Sequence, residues 1–129
     1  MEFKMMKFFL ILMMSLATSA CYAKTLKTSQ LTTDQINLKN FGFTYCLSKS
    51  KDHSLSSESS LAMGGYFQNG NYEEPAYKNI KSFVEKYNQS KTDVYQSTGN
   101  SAVLMNCLDM YNDSEYQKHI QSLEQYLIK

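Results

Sequence analysis

The chain is 129 residues long, enough for one domain of ordinary size. Its 13 basic residues are all lysine, its acids number 12, and the net charge is +1. Near-neutrality without a single arginine disfavours a nucleic-acid binder, which uses a basic excess and guanidinium forks to hold phosphate. Tryptophan is absent, while 10 Tyr and 7 Phe supply core area and an amphipathic contact surface.

Residues 1–23, MEFKMMKFFLILMMSLATSACYA, have the layout of a signal peptide. Lys4 and Lys7 form a positive start, Phe8 to Ala17 a short apolar stretch, and TSACYA a small-residue region for cleavage after Ala23, with Ala20 as the alternative site. The apolar stretch falls short of the roughly 20 residues that cross a bilayer, so no membrane span is expected. Two other readings compete: an apolar first helix of the fold, and a lipid anchor on Cys21. The second lacks the large aliphatic residue usual three places before such a cysteine. Cleavage after Ala23 leaves 24–129 as a single domain.

Residues 24–32 are polar. The first helix is expected from TTDQINLKN, capped by Thr33 or Asp34, with Ile36, Asn40, Phe43 and Leu47 on one side and Phe41 and Tyr45 beside them. Gly42 counts against it slightly. Residues 54–71 form the second segment, where serine-rich capping gives way to Leu61, Ala62, Met63, Tyr66 and Phe67. Gly64 and Gly65 cost stability inside a helix, and close approach of another backbone would explain them. A turn is the alternative there; a phosphate-cradling loop lacks a flanking motif. Gly70 reads as a helix stop.

The clearest helix lies in 71–91. Asn71 caps it, Pro75 sits in its first turn, and Tyr77, Ile80, Val84 and Tyr87 recur on one face with Phe83 at the margin. Its other face carries Lys78, Ser82, Glu85 and Lys86. Residues 90–102, SKTDVYQSTGNSA, have no helical period and end in a turn signal. An ordinary connector and a short β-hairpin both fit. In the next helix Leu104, Cys107, Leu108 and Tyr111 share a face. The last begins at Asp113 or Ser114 and carries Tyr116, Ile120, Leu123 and Leu127.

Cleavage after Ala23 would leave two cysteines, Cys46 and Cys107, each on an inward helical face. In an oxidising compartment two such cysteines usually pair. A nucleophilic cysteine would need a base. His53 stands in a polar loop and His119 on the polar side of a helix, so neither has a catalytic setting. No ligand spacing points to a metal, and no motif to a cofactor. The pattern predicts an all-α domain, a small bundle of about five helices with one intrachain disulfide.

Three stretches, NFGFTYCLSKS, AMGGYFQNGNYEEPAYKNIKSFVEKY and VLMNCLDMYNDSEYQKHI, stand in that order behind the leader. Together they resemble the immunity proteins of type VI secretion amidase effectors, the fourth family, over roughly residues 36 to 120. The resemblance implies a periplasmic, all-α, homodimeric protein without catalysis of its own. Its partner would be a cognate amidase that cleaves peptidoglycan stems at a cysteine–histidine site. It also implies a protruding loop that enters the amidase cleft, added contacts from a helix of the other protomer, and Cys46 and Cys107 as the structural pair. By position, the loop would be 91–101. Val94 and Tyr95 are then the expected anchors, with Asp93, Gln96, Ser97, Thr98 and Asn100 as polar contacts. Gly64, Gly65, Tyr66 and Phe67 are the expected dimer or helix-packing segment. The reading that competes is a small periplasmic enzyme or ligand-binding protein.

Overall fold

The computed structural model describes residues 30–129. The leader expected at 1–23, its cleavage site and Cys21 lie outside the described residues. Five α-helices follow one another: α1 Thr33–Leu47, α2 His53–Gln68, α3 Glu74–Gln89, α4 Val103–Asn112 and α5 Ser114–Ser122. A 3-10 turn, Leu123–Tyr126, closes the series. Among the described residues no sheet forms; two isolated antiparallel bridges join Tyr72 to Leu127 and Val94 to Ser101.

The central element is α1, which packs against the other four helices. Its cap is Thr32, one residue before the expected Thr33. The Thr32 hydroxyl accepts the Gln35 N–H at 3.2 Å, and the Gln35 amide oxygen accepts the Thr32 N–H at 3.0 Å. This reciprocal box satisfies two amides that a lone Thr33 or Asp34 could not. The expected core face is also rotated. Leu38, Phe41, Tyr45, Cys46 and Leu47 are buried, whereas Ile36 is exposed and Phe43 half-buried. A helix covered on several sides needs apolar residues around most of its circumference, so no single stripe marks its core face.

Gly42 is where α3 and α5 close on α1. A Cβ there would strike the Tyr116 hydroxyl and lie 2.6 Å from Ile80 Cγ2. That hydroxyl donates to the Lys39 carbonyl at 2.9 Å, so a fully buried tyrosine keeps its polar end satisfied. Burial holds the Tyr116 phenol well above the usual range, and it stays protonated.

Asp52 caps α2, accepting the Leu55 N–H at 2.8 Å. The helix runs unbroken through Gly64 and Gly65, so no turn forms there, and it lies mainly on α1. The α3 N-terminus differs from expectation. Its cap is Glu73, without a side-chain hydrogen bond. Asn71 instead pairs with the C-terminal segment: its carbonyl accepts the Ile128 N–H at 3.0 Å, while Glu73 N–H donates to the Tyr126 carbonyl at 2.8 Å. Ala76, Tyr77, Ile80 and Val84 form the buried face of α3, as its periodicity predicts.

In α4 the inward residues are Asn106, Cys107 and Met110. Leu104 and Leu108, expected inside, are exposed. The Cys46–Cys107 disulfide, with Cα atoms 5.8 Å apart, ties α4 to α1 and fixes which side faces in. Asp113 caps α5, accepting the Glu115 N–H at 2.8 Å, and Tyr116, Ile120 and Leu123 are buried. Leu127 lies beyond the helix, in the bridge to Tyr72, and is only half-buried.

Candidate partner-binding surface

Between α3 and α4 the chain makes a small hairpin. Its backbone closes by itself: Ala102 N–H donates to the Asp93 carbonyl at 3.0 Å, Tyr95 N–H to Asn100 at 2.8 Å, and Gly99 N–H to Tyr95 at 2.7 Å. Gly99 has φ of 71°, which the turn requires and which favours glycine. The Asn100 N–H donates to the Thr98 hydroxyl at 3.2 Å. Of the two forms open to this stretch, the hairpin is the one adopted.

Backbone hydrogen bonds thus hold the hairpin, and its side chains are left in solvent. Asp93, Val94, Tyr95, Gln96, Ser97, Thr98 and Asn100 are all exposed and adjacent. Val94 is 55% and Tyr95 38% exposed. Tyr95 and Asn100 help line an open hollow of about 420 Å³ against Ser50, Lys51 and Asp52 of the α1–α2 turn. The hairpin base is firm on one side, because α4 begins at Val103 and is tied to α1 through Cys107.

The second expected segment lies elsewhere. Gly64 and Gly65 have open space over their α-carbons, with nothing within 4 Å of a Cβ placed there. Among the described residues nothing therefore makes the close approach that would explain them. Gly64 and Phe67 line an open groove of about 370 Å³ between α2 and α3, with Phe41, Met63 and Tyr77 as apolar floor and Lys78 and Lys81 at the edge. The Phe67 ring meets Tyr77 edge-on at 4.7 Å, and the Tyr66 carbonyl accepts the Asn37 amide at 2.8 Å.

No thiol is left at Cys46 or Cys107 to act as a nucleophile, since each sulfur is bonded to the other. His119 is not free on a polar face: it stacks on Phe83 at 4.8 Å, and burial lowers its pKa. Among the described residues, no three His, Cys, Asp or Glu side chains gather as metal ligands, and no helix is long and apolar enough to cross a membrane.

One surface escaped the sequence reading. Leu104, Met105 and Leu108 are 46%, 54% and 42% exposed on α4. Two apolar arcs surround that helix, and periodicity alone could not tell which of them faces in. Asn106 points the wrong way as a signal, because a polar residue ordinarily marks the solvent face and here it lies on the inward arc.

No curated protein matches the chain in sequence. Residues 36–120 match the Tai4 family model, described as type VI secretion system amidase immunity protein. That match takes in most of α1, all of α2 to α4, most of α5, Cys46 and Cys107 and the whole hairpin, and the chain belongs to the family of type VI secretion system amidase immunity proteins.

Proposed function

We propose that the protein acts in the periplasm by binding a cognate peptidoglycan amidase and blocking its active-site cleft with the 91–101 hairpin. The observation that carries this reading is a self-braced hairpin whose apolar and polar side chains all face solvent. Pre-organised backbone lowers the ordering cost of binding, and a rigid Tyr gives large contact area at small entropic cost. Occluding a cleft excludes substrate and needs no chemistry from the inhibitor, so the protein is not itself an enzyme. The layout expected of a leader at 1–23 supports the periplasmic setting, and so does the disulfide, which persists in oxidising compartments.

The protein acts as a homodimer in this reading. The α2 face is the candidate contact, because Gly64 and Gly65 leave room for a second helix and Phe67 stands half-exposed beside them. The apolar groove between α2 and α3 is the feature that favours the alternative, a small-ligand protein.

The deciding experiment titrates the amidase against wild type and Tyr95→Ala, with Tm measured in parallel. Loss of about 2 kcal/mol or more in binding, at unchanged Tm, is expected of a buried anchor. Equal affinities would move the contact elsewhere, with the polar face of α3 around Lys78, Ser82 and Glu85 as the next surface to probe.

A further inference from the structure

A hollow of about 180 Å³ lies at the foot of the hairpin, where the turn after α1, the end of α3 and the start of α4 meet. Two cations line it, Lys49 just after α1 and Lys91 at the start of the hairpin, and no carboxylate does. Among the described residues the ion pairs use Lys78 and Lys118 and leave these two lysines unpaired. Each ammonium rests over a ring instead, Lys49 over Tyr45 at 4.3 Å and Lys91 over Tyr87 at 5.4 Å. A ring face holds a cation in place without cancelling its charge. Glu85 accepts the Tyr45 hydroxyl and stands outside the hollow.

The remaining walls supply donors. Ala102, the cap of α4, makes no side-chain hydrogen bond, and its neighbours Ser101 and Val103 both line the hollow. The uncapped end of this 10-residue helix carries open amides and about half a positive charge. Asn106 is the second sign of a ligand. It is only 7% exposed, it lines the hollow, and among the described residues its side-chain amide has no hydrogen-bond partner. Folded proteins rarely leave a buried amide unpaired. Asn88 adds another. Its Oδ1 touches the Cys46 sulfur at 3.5 Å, a contact without a proton because that sulfur is bonded to Cys107. Its amide nitrogen has no acceptor among the described residues.

We infer that this hollow binds one small dianionic oxyanion of the phosphate class, which ties the two ends of the hairpin to α1. Charge selects the class: two ammoniums and a helix N-terminus exceed what one carboxylate neutralises, whereas a dianion nearly balances them. Size limits the occupant to one group. The volume is about six times a water's share of the liquid, room for an oxyanion and a few waters. Lysines, amides and a helix N-terminus are the donors that phosphate oxygens accept from. Lys91 opens the hairpin and Ser101 closes it, so an anion held between them stiffens its base. The site stands apart from the inhibitor reading and does not depend on it.

The test titrates the full chain with inorganic phosphate and with glycerol phosphate, against acetate and chloride at equal ionic strength. Tm, amide NMR shifts and hydrogen exchange are read on wild type, Lys49→Gln, Lys91→Gln and Lys118→Gln, the last outside the hollow. Both phosphates are expected to raise Tm, to shift the amides of Lys49, Lys91 and 103–106, and to slow exchange at Tyr95 and Ala102. Lys49→Gln and Lys91→Gln should each weaken phosphate binding about 10-fold, the loss of one charged hydrogen bond, and Lys118→Gln should leave it unchanged. Tighter binding of glycerol phosphate would name an esterified phosphate as the natural source, and equal or weaker binding the free ion; either supports the site. An equal Tm shift with acetate or chloride would overturn it. So would wild-type affinity in either folded lysine variant, or an equal loss in Lys118→Gln, both of which mean an adventitious ion only. Should one lysine variant fail to fold, the other decides.

Discussion

The core around α1 and the hairpin after α3 are ordered by opposite means. Around Gly42, order comes from side chains: Tyr116 and Ile80 fill the space that a missing Cβ leaves, and the backbone follows. In the hairpin, order comes from backbone hydrogen bonds and one left-handed glycine, while every side chain from Thr92 to Ser101 is exposed. A substitution in the first region should therefore act on stability, and one in the second on recognition. The disulfide is where the two regions meet, because it fixes α4, the hairpin's downstream support, to the central helix.

The largest expected effect tests that link. The bond closes a loop of 61 residues, and Cys107→Ser should cost about 4 kcal/mol of stability in the chain-entropy description. Urea unfolding of the variant, and of wild type with and without reductant, measures it. A loss under about 1 kcal/mol would show that packing alone holds α4 in place.

Glycines sharpen the comparison because their effects should differ in sign. Gly42→Ala places a methyl against Tyr116 and Ile80 and should cost about 3 kcal/mol by overpacking. Gly64→Ala and Gly65→Ala meet open space and should each gain up to about 1 kcal/mol from helix propensity. Thermal melts of the three variants test the signs, and light scattering of the latter two tests whether that space serves a dimer. In the hairpin, Gly99→Ala forces a positive φ on alanine and should cost about 1 kcal/mol locally. Its main effect should appear as weaker amidase binding, with Tm nearly unchanged.

The smallest effect concerns pH. His119 sits against Phe83, and burial lowers its pKa below the unfolded value near 6.5. Between those two values the unfolded chain binds the proton and the folded one does not, so stability falls as pH drops below about 6.5. The loss is complete once pH passes the folded pKa. His119→Phe keeps an aromatic on Phe83 and should flatten that slope between pH 7.5 and 5.5 in urea titrations. An unchanged slope would assign it to carboxylates.

Much of this was legible in the sequence, and the failures share a cause. The α3 stripe is amphipathic in the ordinary way, one face in and one face out, and Tyr77, Ile80 and Val84 lie where periodicity puts them. The helix α1 touches four others, so its true face could not be told from its apparent one. In α4, two apolar arcs compete, and a tertiary bond chooses between them. The hairpin was readable as a break in helical period with a glycine near its end. Its internal bracing was not, because backbone hydrogen bonds leave little trace in side-chain pattern.

The pairing of Tyr72 with Leu127 also sets an order in time. A chain emerging N-terminus first has both cysteines out before Tyr116, Ile120 and Leu127 appear. The covalent tie between α1 and α4 is thus available while the α1–α3 seam still lacks its cover. The aromatic that seats over Gly42 and the clasp on Tyr72 come last, so an oxidised protein truncated after residue 112 would carry the hairpin and the cross-link on an open core.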